Sequence, residues 1–286
     1  MNFMRPMASA SAGSNSVLRA TRSTPARQGS VLGGMRVDAG TYETSTATIV
    51  RWAREGQARY VCAANVHMLM ETRDSEKYRG VVNGADLVTS DGMPLVWLLH
   101  RRGFRAAERV YGPDLMLSVC QRAEREQVPI GLFGGTPEVL VRLMRRLKAL
   151  MPELQIACSI SPPFGQFSAE QNREYSQTIK DSGARIVFVG LGCPKQERWM
   201  AECSAQIPAV LLGVGAAFNF HAGQVKQSPA WMQRAGLEWA FRFAMEPRRL
   251  WRRYLWHNPR FLWAMAQEEW RRWRGWSGAQ RLNELG

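Results

Sequence analysis

Residues 83–97 read NGADLVTSDGMPLVW, and the fold turns on this stretch. Ala85–Thr89 is a short apolar run of strand length, Ser90-Asp91-Gly92 interrupts it, and an apolar helix starts around Pro94. A carboxylate in such a turn stands at the carboxyl end of a strand, where open α/β sheets place their ligands. Gly92 suits a sharp bend or a closely approaching ligand. Ser-Asp-Gly is also ordinary turn and N-cap chemistry. What raises Asp91 above that is the number of other strand ends in the chain with Gly-rich or polar turns.

Outward from this stretch the same alternation continues. Candidate strands are Arg59–Ala64, Ala85–Thr89, Pro129–Phe133, Leu154–Cys158, Arg185–Gly190 and Ala209–Val214. Between them lie candidate helices Tyr42–Glu55, Val66–Gly80, Pro94–Arg101, Pro113–Glu126, Pro137–Met151, Ala169–Ser182 and Pro194–Gln206. Strands alternating with helices of this length predict right-handed crossovers and an α/β, Rossmann-like, mainly parallel sheet over residues 37–223. Residues 1–36 are rich in Ser, Ala, Gly and Arg and read as a disordered basic tail, or as an overlong start with Met35 as the true one. Residues 224–286 read as a helical appendage holding eight of the eleven tryptophans.

The formal charge is +14, from 38 Lys and Arg against 24 Asp and Glu. Such an excess suits an anionic partner: nucleic acid, nucleotide, lipid diphosphate or membrane surface. The five cysteines are far apart, without CxxC or zinc spacing, which predicts reduced cytosolic thiols. No apolar run approaches the ~20 residues of a spanning helix.

Several strand ends carry chemistry. Asn65 offers a donor and an acceptor at the mouth of the first strand, or caps the helix behind it. His67 in that helix is a reserve proton acceptor. Gly134-Gly135 opens a helix whose first amides suit phosphate or ribose. Gly190-Leu191-Gly192 leads to Pro194 and then Lys195, Gln196 and Glu197 in a first helical turn. Lys195 suits a phosphate; Gln196 and Glu197 suit ribose or sugar hydroxyls, or simply the helix dipole. At the next strand end Phe218 suits flanking a base and Asn219 hydrogen-bonding it. Arg109 is either a partner for a carboxylate or a contact for a substrate. Arg248, Arg249, Arg252 and Arg253 share a helix with Trp251 and Trp256, an interfacial pattern for anionic lipid. The tryptophans as core, and the arginines as a nucleic-acid face, are the alternatives.

The ordered set AANVHMLM, GADLVTSDGMPLVW, ERVYGPDL, LFGG, PPFG, GLGCPKQE and GVGAAFNFHAG resembles the WecG/TagA/CpsF family of bacterial glycosyltransferases, from about Val37 to near Tyr254. The resemblance implies transfer from a UDP-sugar to a sugar on a polyprenyl diphosphate, in exopolysaccharide or other surface polysaccharide synthesis. It favours donor binding at Gly190–Glu197. Two positions depart from the family: Ala63 stands where a Thr is frequent, and Asn219 where an Asp is frequent. With no D-x-D dyad and no cluster of metal spacing, no metal and no cofactor are expected. Departing UDP is then stabilised by backbone amides, helix N-termini, Lys195 and the appendage arginines. Asp91 is the expected base for a single inverting displacement. The expected setting is cytoplasmic, peripheral on the inner face of the cell membrane, with no nucleic acid bound and a homo-oligomer left open. A dehydrogenase-like nucleotide enzyme and a basic nucleic-acid-binding protein are the competing classes; the first is weakened by the absence of GxGxxG.

Overall fold

The structure is a computed structural model, which describes residues 28–283, the side chains at positions 230, 234, 249, 252–254, 272, 273 and 275–283 excepted. All six expected strands form and join one parallel sheet. They are β3 (Arg59–Ala64), β4 (Leu87–Ser90), β5 (Ile130–Gly134), β6 (Ile156–Ile160), β7 (Ile186–Gly190) and β8 (Val210–Gly213). The order is β4-β3-β8-β7-β5-β6, and every pairing is parallel. Strands β3 and β8 are buried at every position, β7 at all but its last, as the unbroken apolar runs require of a sheet covered on both faces.

Crossover helices cover the sheet. On one face α1 (Tyr42–Arg54), α5 (Gly112–Arg125), α6 (Pro137–Leu150) and α9 (Ala217–His221) bury Ile49, Val119, Leu143 and Ala217 with Ile130 and Leu212. On the other, α2 (Val66–Asp74), α3 (Glu76–Asn83), α4 (Met93–Arg101), α7 (Ala169–Asp181) and α8 (Lys195–Cys203) pack Leu69, Tyr78, Leu99, Ile179 and Trp199 against Phe133 and Val187. The expected single helix 66–80 is two helices. Ser75, at φ −138°, leaves helical geometry and its hydroxyl caps Tyr78 N–H at 3.2 Å.

Two parts differ from the sequence reading. Within the expected tail, β1 (Gly29–Leu32) and β2 (Met35–Asp38) form an antiparallel hairpin, with Leu32 and Met35 fully buried. The hairpin also satisfies the sheet edge, since Asp38 accepts from Val88 N–H at 2.7 Å. Residues 1–27 of the expected tail lie outside the described residues.

The second part is the C-terminal segment: α10 (Ala230–Arg234), α11 (Glu238–Met245) and the long α12 (Pro247–Asn283, containing Pro259). It is helical, as expected, but it is not merely appended. Phe261, Ala264 and Met265 enter the core beside Leu69. Arg102, its side chain 4% exposed, pairs with Glu268 and Glu269 at 2.8 and 2.9 Å. The tryptophans whose side chains are described stay outside: Trp231, Trp239, Trp251, Trp256, Trp263 and Trp270 are all exposed. They do not form the core. No described helix is long and apolar enough to cross a membrane.

Candidate active site

Because all six strands run parallel, their carboxyl ends share one edge. Neighbouring strands lie about 4.8 Å apart, so from β4 to β5 this edge extends about 19 Å. The connection after β7 leads to its neighbour β8, and that after β5 leads the opposite way to β6. The crevice between the β7 and β5 ends is therefore a topological switch point, where such sheets bind ligands.

At the β4 end, Asp91 lies beside Asn65, the residue that follows β3. Asn65 is the N-cap of α2, its Oδ1 accepting from Met68 N–H at 3.2 Å. Its Nδ2 points to Asp91 Oδ2 at 3.4 Å. Asp91 Oδ1 accepts from Gly112 N–H at 2.7 Å, at the start of α5. Thus one carboxylate oxygen is firmly held and the other only loosely. Burial pushes the Asp91 carboxyl up to about 6; Glu238 adds to the rise, while Arg109, the Gly112 amide and Asn65 oppose it. Ala63, at the family's frequent Thr position, lies against Gly112 in the same corner. Gly92 has φ −97°, open to any residue, so the bend here does not itself require a glycine.

Arg109 sits close by, but not as a waiting acceptor contact. Its Nε donates to the Asp91 carbonyl at 2.7 Å, its Nη1 to Gln233 at 3.3 Å, and its Nη2 to Glu238. The guanidinium also stacks over Tyr111, 4.2 Å from the ring centre. Its donors are directed to the protein, tying the Asp91 turn to α10 and α11. Tyr42 completes this end: its hydroxyl donates to Asp114 at 3.3 Å and accepts from Tyr111 N–H at 3.0 Å.

The β7–β5 end works through backbone. Gly134 and Gly190 are register partners, and a Cβ on Gly134, which has φ +124°, would lie 2.6 Å from the Gly190 carbonyl carbon. Phe218 is buried beneath both turns: a Cβ on Gly190 would lie 2.7 Å from its ring. Phe218 therefore supports the glycines rather than flanking a base. Asn219, next to it, is half-buried.

Gln196 and Glu197 are also turned inward, 4% and 0% exposed. Gln196 Oε1 accepts from Gly192 and Gly215 N–H at 3.2 and 3.1 Å, and its Nε2 donates to Glu197 at 2.7 Å. Glu197 further accepts from the Tyr78 hydroxyl at 3.0 Å, and burial raises its carboxyl. The expected sugar contacts are instead a brace that fixes two loops to each other. The amide of Gly192 is spent on that brace rather than presented to a phosphate. Lys195 remains half-exposed at the start of α8, its Nζ 3.8 Å over the Phe167 ring, and burial lowers its pKa. Gly135 is held by Ser161, which donates to its carbonyl at 2.8 Å, at the opening of α6.

Arg248 is exposed on α12. The side chains of Arg249, Arg252 and Arg253 lie outside the described residues. Sequence reasoning missed Gln233 and Glu238, 124 and 129 residues from Arg109, and Tyr42. The signal that was present is charge: Glu238, Glu268 and Glu269 are acidic residues in an Arg-rich segment, and each meets an arginine of the sheet domain. A cluster of metal-ligating type also forms among the described residues from His67, Glu71 and His257, which spacing along the chain could not reveal.

Residues 30–275 match the Glycosyl transferase WecG/TagA/CpsF family. The match takes in the β1–β2 hairpin and most of α12, beyond the limits of the motifs read from the sequence. A parallel sheet with an acid at one strand end and braced glycine turns at its switch point suits a nucleotide-sugar donor beside a glycan acceptor. The chain belongs to the WecG/TagA/CpsF family, glycosyltransferases of cell-surface polysaccharide biosynthesis.

Proposed function

We propose that the protein transfers a hexosyl group from a UDP-sugar to a sugar carried on a polyprenyl diphosphate, with inversion, in exopolysaccharide or related surface polysaccharide synthesis. The observation that carries the reading is Asp91: a carboxylate at a strand mouth, one oxygen held by Gly112 N–H, with its pKa raised to about 6. A base poised just below neutral pH is ionised when needed and takes a proton more readily than an ordinary carboxylate.

In this reading Oδ2 of Asp91 accepts the acceptor hydroxyl's proton while that oxygen attacks the anomeric carbon. The bond from that carbon to the UDP oxygen breaks, and UDP leaves with its electron pair. Asn65 orients the carboxylate. Lys195 and the amides opening α6 face the departing diphosphate, as helix N-termini suit anions. No catalytic step requires a metal or a cofactor. Phe218, Gln196 and Glu197 hold the donor loops from below, and Arg109 holds the Asp91 turn. Arg248, Arg249, Arg252 and Arg253, with the exposed tryptophans, suit an anionic membrane surface and the lipid diphosphate, each basic group contributing ~1 kcal/mol there.

The test is a mass-spectrometric transfer assay over a panel of UDP-sugars with a polyprenyl-diphosphate-linked acceptor, beside thermal-shift titrations with UDP and NAD. Transfer from one UDP-sugar and stabilisation by UDP alone are expected. Stabilisation by NAD, with no transfer from any UDP-sugar, overturns the reading.

A further inference from the structure

We propose that His67, Glu71 and His257 form a binding site for a divalent transition metal, zinc foremost, that clasps α12 to α2. His67 and Glu71 are one turn apart on α2, with Nδ1 and Oε1 3.9 Å apart. His257, on α12, brings its Nε2 to 3.9 Å from the same Glu71 oxygen. The three ligand atoms all lie within 4.8 Å of one another, and the imidazole centres are 5.0 Å apart with the rings tilted by 59°.

Two imidazoles and one carboxylate are a ligand set zinc takes up, with ligand atoms about 2.0–2.2 Å from the ion. Tetrahedral geometry then asks for about 3.4 Å between ligand atoms, so small side-chain rotations close the set. The side chains are 12–28% exposed, which leaves a route for the ion and room for water as a further ligand. Nearby charge is arranged compatibly. Arg260 donates to both oxygens of Asp74, so its hydrogen bonds leave the Glu71 carboxylate available to the ion.

The pair stands apart from the rest of the chain's four histidines. His100 and His221 each place Nε2 against a backbone carbonyl, of Ala107 at 2.7 Å and of Pro113 at 2.9 Å. His67 and His257 instead converge on one carboxylate across two helices. The position gives the site a consequence. Helix α2 begins at Asn65, which orients Asp91, and α12 follows α11, whose Glu238 holds Arg109. A bound ion therefore fixes the C-terminal helices to the helix that opens the candidate active site, without touching Asp91.

Metal-free full-length protein titrated with Zn²⁺ by calorimetry tests this. One equivalent is expected to bind with a Kd of about 10 μM or tighter, and to raise the thermal midpoint. His67→Ala and His257→Ala should each weaken binding at least tenfold, and Glu71→Gln about tenfold. Co²⁺ should give a visible d–d band in the wild-type protein that His257→Ala abolishes. Wild-type binding weaker than about 1 mM would sink the site. So would undiminished binding in both histidine variants, which would mean that other groups hold the ion.

Discussion

Asp91 and Glu197 are two carboxylates at the carboxyl edge of one sheet, two strands between them and both raised by burial, and their surroundings differ. Asp91 follows β4, one oxygen held by Gly112 N–H and the other only loosely by Asn65. Glu197 follows β7 and faces the interior, accepting from Gln196 and Tyr78. The first leaves hydrogen-bonding capacity for chemistry. The second uses its capacity to hold the Gly190–Gly192 and Gly213–Gly215 loops in register. A raised pKa thus accompanies both the proposed base and a brace; their hydrogen-bond partners separate them.

The sharpest way to break this contrast is to neutralise the outward carboxylate. Asp91→Asn keeps the shape and the Gly112 contact but removes the proton acceptor. Turnover should fall by roughly a hundredfold or more while UDP binding is retained. Near wild-type turnover would remove Asp91 from the chemistry and leave it a brace like Glu197.

Removing the inward carboxylate should give the reverse pattern. Glu197→Ala strips the partner from Tyr78 O–H and Gln196 Nε2–H and opens a cavity at a fully buried position. Stability should fall by about 2–3 kcal/mol, read by urea denaturation at neutral pH. An unchanged midpoint would show that the two loops do not depend on this brace.

That distinction was not readable in the sequence, whereas the sheet was. Apolar runs such as IVFV at 186–189 are period-free and flanked by glycine, so they mark buried strands whatever their neighbours. The turns after them mark the ligand edge for the same reason. Which way Gln196 and Glu197 point depends on the direction in which α8 leaves β7, and a first helical turn offers both faces. The break at Ser75 was hidden because ETRDSEKYRG has no apolar period to interrupt. The hairpin was hidden by composition: Leu32 and Met35 sit in a Ser/Gly/Arg-rich stretch, and only the partner surface makes them core. The attachment of Arg109 to Glu238 and of His67 to His257 are long-range facts, which no local pattern carries.

A smaller effect should appear in the pH profile. With Asp91 titrating at about 6, kcat/KM should be level above pH 7 and fall toward tenfold per unit below about 6. A profile flat down to pH 5 would mean that the proton goes elsewhere.

The smallest effect joins the two roles, because a group exposed for chemistry at a desolvated site should cost stability. The Asp91 carboxyl rises from 3.8 to about 6 on folding. Between those values the folded chain binds the proton more readily than the unfolded one. The contribution from this group is therefore favourable below about pH 4 and is lost as pH rises through about 6. At pH 7.5 the ionised carboxylate then costs on the order of 1–2 kcal/mol, after discounting its partial contact with solvent. Asn at this position carries no charge to desolvate, and the Arg109 link survives because it is made to the backbone carbonyl. Asp91→Asn should accordingly be more stable than the wild type at pH 7.5, with the difference vanishing near pH 4. Urea denaturation of both proteins at the two pH values cancels every other titrating group common to them. If the variant is instead the less stable at pH 7.5, the Arg109 charge and the Gly112 amide outweigh desolvation. Asp91 would then stabilise the fold as Glu197 does, and the two carboxylates would differ only in where they point.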